Sequence, residues 1–67
     1  MNKFSKRLKE LMKEYKYTQK QLGKMLFLSA DTISNYCNGK REPSLDNLIK
    51  FSIIFEVSTD YLLGLED

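Results

Sequence analysis

Between Thr18 and Gly39 the chain reads T-Q-K-Q-L-G-K-M-L-F-L-S-A-D-T-I-S-N-Y-C-N-G, and Lys40 and Arg41 follow at once. The polar groups of this stretch that stand out are hydroxyls, amides and one carboxylate, among them Thr18, Gln19, Ser29, Asp31, Thr32, Ser34, Asn35 and Asn38. Such groups hydrogen-bond and, with two cations beside them, hold anions. They do not assemble a catalytic set. The chain has no His, and it shows no nucleophile beside a base and no Gly-rich phosphate loop after a strand. Cys37 is the single cysteine, which rules out an internal disulfide and zinc sites of the usual Cys and His types. The expected chemistry is therefore recognition, with no enzyme activity, cofactor or metal.

Two short helices must carry these groups. Thr18 with Gln21 three residues on is a capping-box pattern, so a helix starts at Gln19, with Leu22, Met25 and Leu26 at helical spacing. Phe27-Leu28 breaks the pattern before Ser29, which can cap a second helix from Ala30 to about Asn38, stopped by Gly39. Ile33, Tyr36 and Cys37 form the buried side of that helix and Ala30, Asp31, Thr32, Ser34 and Asn35 its free side. Two helices joined by about 3–4 residues, the second polar outward, have the shape of a helix-turn-helix.

The flanks supply packing. Phe4, Leu8, Leu11, Met12 and Tyr15 line one face of a first helix over about 3–16, with Arg7, Lys9, Glu10, Lys13 and Glu14 opposite. After a loop at Lys40–Pro43, Ser44 caps a fourth helix over 45–55, whose inward side is read as Leu45, Leu48, Ile49, Ser52 and Phe55. Val57-Ser58 opens a fifth over 59–63, closed by Gly64. Gly23, inside the second helix, costs about 1 kcal/mol against Ala there, which implies a close approach by the third. The expectation is a single all-α domain over residues 1–67, small enough that oligomerisation would help it.

Several blocks in register, T-Q-x-Q-L-G, L-S-x-x-T-I-S-x-Y, N-G-K-R-x-P-S-L-x-N-L and V-S-x-D-Y-L-L-G, resemble the Cro/CI-type helix-turn-helix proteins of phage repressors and xenobiotic-response-element regulators. The resemblance covers roughly Phe4 to Gly64. It implies a compact five-helix lambda-repressor-like fold and a sequence-specific transcriptional regulator, a repressor by analogy, bound to double-stranded DNA. Gln19 then falls at the family's phosphate contact, Asn38, Lys40 and Arg41 clamp further phosphates, and Thr18 and Ser34 assist. Base reading falls to Ser29, Ala30, Asp31, Thr32 and Asn35. Ala30 offers a methyl to thymine, Thr32 a methyl or a hydrogen bond, and Asn35 a two-way pairing with adenine. Asp31 either accepts from cytosine or only stabilises the N-terminus of its own helix.

Three positions depart from the family pattern. Phe27 stands where Gly is expected at the turn, so either it accepts a left-handed backbone with its ring packed on the surface, or the turn changes geometry. Met12 and Cys37 replace an Arg and Glu that pair across helices one and three, which predicts an apolar Met12–Cys37 contact. Ile53 is often polar in the family, so with Ile54 and Tyr61 it is the candidate surface for a homodimer on a palindromic operator.

Charge is divided along the chain. Residues 1–41 hold ten Lys and Arg against three acids, whereas residues 42–67 hold Lys50 against six acids. A basic half can turn to a polyanion and an acidic half away. No apolar run approaches the ~20 residues of a membrane span, and the start M-N-K-F-S-K-R has no apolar signal core. The expectation is a soluble, unprocessed cytoplasmic protein of bacterial or phage-encoded type. Against the DNA-binding reading stands a protein-interaction module of the same fold, antitoxin-like or an accessory subunit. The sequence leaves open whether 67 residues are the whole regulator.

Overall fold

A computed structural model describes residues 3–67; Met1 and Asn2, the first two positions of the expected domain, lie outside the described residues. The order is α1 (Phe4–Tyr15), α2 (Gln19–Leu26), α3 (Ala30–Cys37), α4 (Leu45–Phe55) and α5 (Thr59–Leu63), each within a residue of the expected bounds. Local chemistry explains the starts. Thr18, Ser29, Ser44 and Ser58 each cap the helix that follows, accepting from the backbone N–H three residues on. Each such cap is worth about 1 kcal/mol. The stops use left-handed backbone at Lys16, Phe27, Glu56 and Gly64, and Gly39 takes φ 73° just after α3.

The core is one cluster drawn from all five helices, with Leu8, Leu22, Ile33, Phe51 and Leu62 fully enclosed. The first helix buries Phe4, Leu8, Leu11 and Met12 as its spacing predicts. Arg7, however, does not stay on the outer side. Its guanidinium lies over the Tyr61 ring, 4.2 Å from the centroid, which joins α1 to α5.

The fourth helix corrects the sequence reading. Its buried residues are Leu48, Phe51 and Phe55, while Leu45 and Ile49 face outward and Ser52 is half-buried. Phe51, absent from the expected inward side, stands at the centre of an aromatic cluster, 5.5 Å from Phe4 and 5.8 Å from Tyr36 between centroids. Both sets recur at helical spacing, and the two Phe side chains bury the larger area.

The Met12–Cys37 contact is present: the buried thiol donates to the Met12 thioether sulfur at 3.6 Å. No charged side chain is buried among the described residues, so replacing both members of an ion pair by Met12 and Cys37 leaves no stranded charge in this seam between α1 and α3. Gly23 is also explained. A Cβ there would come within 2.6 Å of the Leu28 carbonyl oxygen and 3.3 Å of Ser29 backbone atoms. What presses on Gly23 is the backbone entering α3, so the small residue sets how tightly the turn closes.

Candidate nucleic-acid interface

The turn between α2 and α3 takes the first of the two geometries considered, with one difference. Phe27 adopts φ 60°, ψ 38°, and its N–H and that of Leu28 close the helix onto Lys24 and Gly23 carbonyls. Its ring does not pack on the surface: Phe27 is 92% exposed. The strain is accepted without burial in return.

Sequence reasoning missed what steadies this turn from outside. The Lys50 ammonium, on α4, donates to the Leu26 carbonyl at 3.3 Å, a cation at the negative end of α2. A second brace links α4 to α3, where the Asn47 amide donates to the Tyr36 hydroxyl at 2.9 Å. The one signal for Lys50 was its being the lone cation of an acidic half.

On the opposite end of α2, Thr18 accepts from the Gln21 N–H at 3.1 Å and its own N–H donates to the Gln21 amide oxygen at 3.0 Å, the full capping box. Gln19, the first residue of α2, is exposed. Its side chain also acts on the Cys37 thiol. Burial pushes that thiol's pKa up, against smaller opposing effects of the Lys9 charge and of a hydrogen bond from Gln19.

Along α3, the Ser29 hydroxyl caps the Thr32 N–H at 3.0 Å and lies 2.8 Å from the Thr32 hydroxyl, so these two side chains already engage each other. Ala30 and Asp31 are exposed in the first turn, and Thr32, Ser34 and Asn35 are half-buried beside them. The Asn38 amide donates to the Ser34 hydroxyl at 3.4 Å, and the Lys40 N–H donates to the Asn35 carbonyl, curling the exposed pair Lys40 and Arg41 back beneath the end of α3. The structure thus brings nine of the eleven expected contact residues into α2, α3 and their caps, with Lys40 and Arg41 two and three residues past the Asn38 cap. Ile53 is 71% exposed, whereas Ile54 and Tyr61 are partly buried against the core and Tyr61 has Arg7 on its ring. No group of three or more His, Cys, Asp or Glu able to hold a metal occurs among the described residues.

A five-helix domain with a capped, polar-flanked α3 set across α2 is a helix-turn-helix domain of lambda-repressor-like architecture. A helix-turn-helix family model matches residues 8–62, and the chain belongs to that family, the Cro/CI type. It is 44% identical over 62 residues to the HTH-type transcriptional regulator ImmR of Bacillus subtilis, covering 92% of this chain and 49% of that protein. It is 40% identical over 60 residues to the uncharacterized HTH-type transcriptional regulator YqaE of the same organism, covering 90% of this chain and 52% of YqaE. The chain spans about half the length of these curated relatives. In three dimensions it is similar to the P22 c2 repressor solved with synthetic operator 9T, with a TM-score of 0.85, 35% identity, and 90% of this chain and 91% of that one covered.

Proposed function

We propose that the chain is a single DNA-binding domain of a cytoplasmic transcriptional regulator of bacterial or phage-encoded type, with α3 in the major groove and α2 on the phosphate backbone. One observation carries the reading: the flank of α3 from Ala30 to Asn35 is polar and turned away from the core, with Lys40 and Arg41 exposed beyond it. Phosphate contacts position such a domain and base edges specify its site. Gln19 with the α2 N-terminus, and Asn38, Lys40 and Arg41 at the far end of α3, are suited to two stretches of backbone, with Thr18 and Ser34 supporting them.

Ser29, Ala30, Asp31, Thr32 and Asn35 read bases. None is Arg or Lys, so bidentate guanine contacts are missing from α3 and an A·T-leaning half-site follows. Two copies on a palindrome with half-sites roughly 34–36 Å apart supply the affinity one small domain lacks. Ile53, Ile54 and Tyr61 form the candidate pairing surface. The likeness to P22 c2, a repressor, favours repression.

Selection from a random duplex pool, followed by titration at 50 and 200 mM salt, tests this. Two cations per copy on phosphate, in two copies, give a fall in affinity of roughly 100-fold between those salts. Recovery of no common motif, with binding indifferent to salt, would remove the DNA reading in favour of a protein-interaction module.

A further inference from the structure

Six large apolar side chains are exposed among the described residues, and five of them form two groups of opposite electrostatic setting. At the end of α2, Met25 is 40% and Phe27 92% exposed, and Lys20 and Lys24 stand exposed on the face that leads to Phe27. On α4, Leu45, Ile49 and Ile53 recur every fourth residue at 78%, 50% and 71% exposure, with Asp46 exposed beside them and Glu56 exposed past the helix end. Lys50 separates the two groups, its ammonium engaged by the Leu26 carbonyl. Neither group serves the core, and neither lies on the polar flank of α3.

We propose that these are the two halves of one head-to-tail contact, in which the α2 shoulder of one copy (Lys20, Lys24, Met25, Phe27) docks on the α4 stripe of the next (Leu45, Ile49, Ile53, with Asp46). Charge selects this pairing. A shoulder set against its own twin would oppose lysines to lysines, and a stripe against its twin would bring the acids of both copies together, whereas shoulder on stripe matches opposite signs. Area sets the strength. The five side chains expose on the order of 600 Å² of apolar surface, and with polar flanks the contact reaches about 1,200 Å², the low end for specific interfaces. A contact of that size is weak in free solution and becomes populated where neighbours are held together at millimolar effective concentration. A heterologous contact does not close on itself, so it can join more than two copies. Ile53 also stands on the proposed pairing surface, so a copy paired through it offers only Leu45 and Ile49, with Asp46, to the next shoulder. Joining copies on adjacent DNA sites rests on the proposed function; the contact itself does not.

The test uses the 67-residue chain without DNA, by sedimentation velocity from 10 μM to 1 mM. The wild type gains mass steadily with concentration, and high salt weakens the gain. Phe27→Gly and Ile49→Lys, each checked for fold by circular dichroism, each raise the apparent dissociation constant at least tenfold. Mixed in equal amounts, they form species larger than either forms alone, because the first keeps an intact stripe and the second an intact shoulder. Lys24→Glu and Asp46→Lys repeat the comparison with the apolar residues untouched. A wild type monomeric to 1 mM, a Phe27→Gly variant that associates like the wild type, or mixtures no larger than their components would overturn the proposal. Since DNA binding is measured separately by the pool selection, either reading can fail without the other.

Discussion

Replacing Phe27 by Gly isolates the strain in the turn. Phe27 holds φ 60° and is 92% exposed, so the folded state loses almost no packing when the ring goes. A residue with a side chain pays about 1–2 kcal/mol in the left-handed region, and Gly removes that term. Gly in turn gives the unfolded chain more freedom, a loss of roughly 0.5–1 kcal/mol. The difference favours Phe27→Gly by about 0.7 kcal/mol, and at about 4–8 °C per kcal/mol for a domain this small the melting temperature rises by roughly 3–6 °C. Thermal unfolding followed by circular dichroism measures it. Lys16 and Glu56, at φ 61° and 56° and both exposed, provide controls whose Gly variants shift the same way. An unchanged or lower melting temperature for Phe27→Gly, with the controls rising, would show that the ring makes a stabilising contact and that the accounting of the turn is wrong.

Two further outcomes follow from the packing around the same turn. Gly23→Ala gains about 1 kcal/mol of helix propensity but drives a Cβ to 2.6 Å from the Leu28 carbonyl, and since backbone must move, unfolding in denaturant should show a net loss of about 1–2 kcal/mol. Cys37 resists thiol reagents in the native state, and its raised pKa carries a sign: above about pH 8.5 the unfolded thiol ionises while the folded one stays protonated, so stability is full below that pH and declines as pH climbs toward the folded pKa. A Cys37→Ala variant whose denaturation midpoint falls just as steeply between pH 8 and 10 would assign the decline to other groups.

What could be read from the sequence was what neighbours in the chain decide. The caps expected at Thr18, Ser29 and Ser44 need only the residue three places on and formed as their spacing predicts, and Ser58, expected only to open α5, caps it in the same way. The free flank of α3 was equally legible, because Ile33, Tyr36 and Cys37 leave only one way to turn the helix. The conformation of Phe27 was not, since the φ it takes depends on Leu28 and Ser29 backbone closing over Gly23, a packing demand that outweighs local preference. The Lys50 and Asn47 braces span 24 and 11 residues, and no local pattern announces them.

The fourth helix, whose inward side departs from the expected one, is also the one whose composition asks for more than these five helices supply. Leu45, Leu48, Ile49, Phe51, Ile53, Ile54 and Phe55 put apolar groups around most of α4. A helix apolar on nearly all sides belongs in an interior, yet 67 residues leave only one side of α4 covered. Phe51 and Phe55 take that side because the rings of Phe4, Tyr36 and Tyr15 meet them there. Leu45, Ile49 and Ile53 are consequently left to water by geometry rather than by their own preference, and burying them requires surface that these five helices do not supply. The most exposed ring, Phe27, stands at the end of α2 with exposed Lys20 and Lys24 on the face that leads to it, opposite in charge to Asp46 and Glu56 at the rim of α4. Another copy of the same chain therefore offers a surface that matches the stripe in both character and sign.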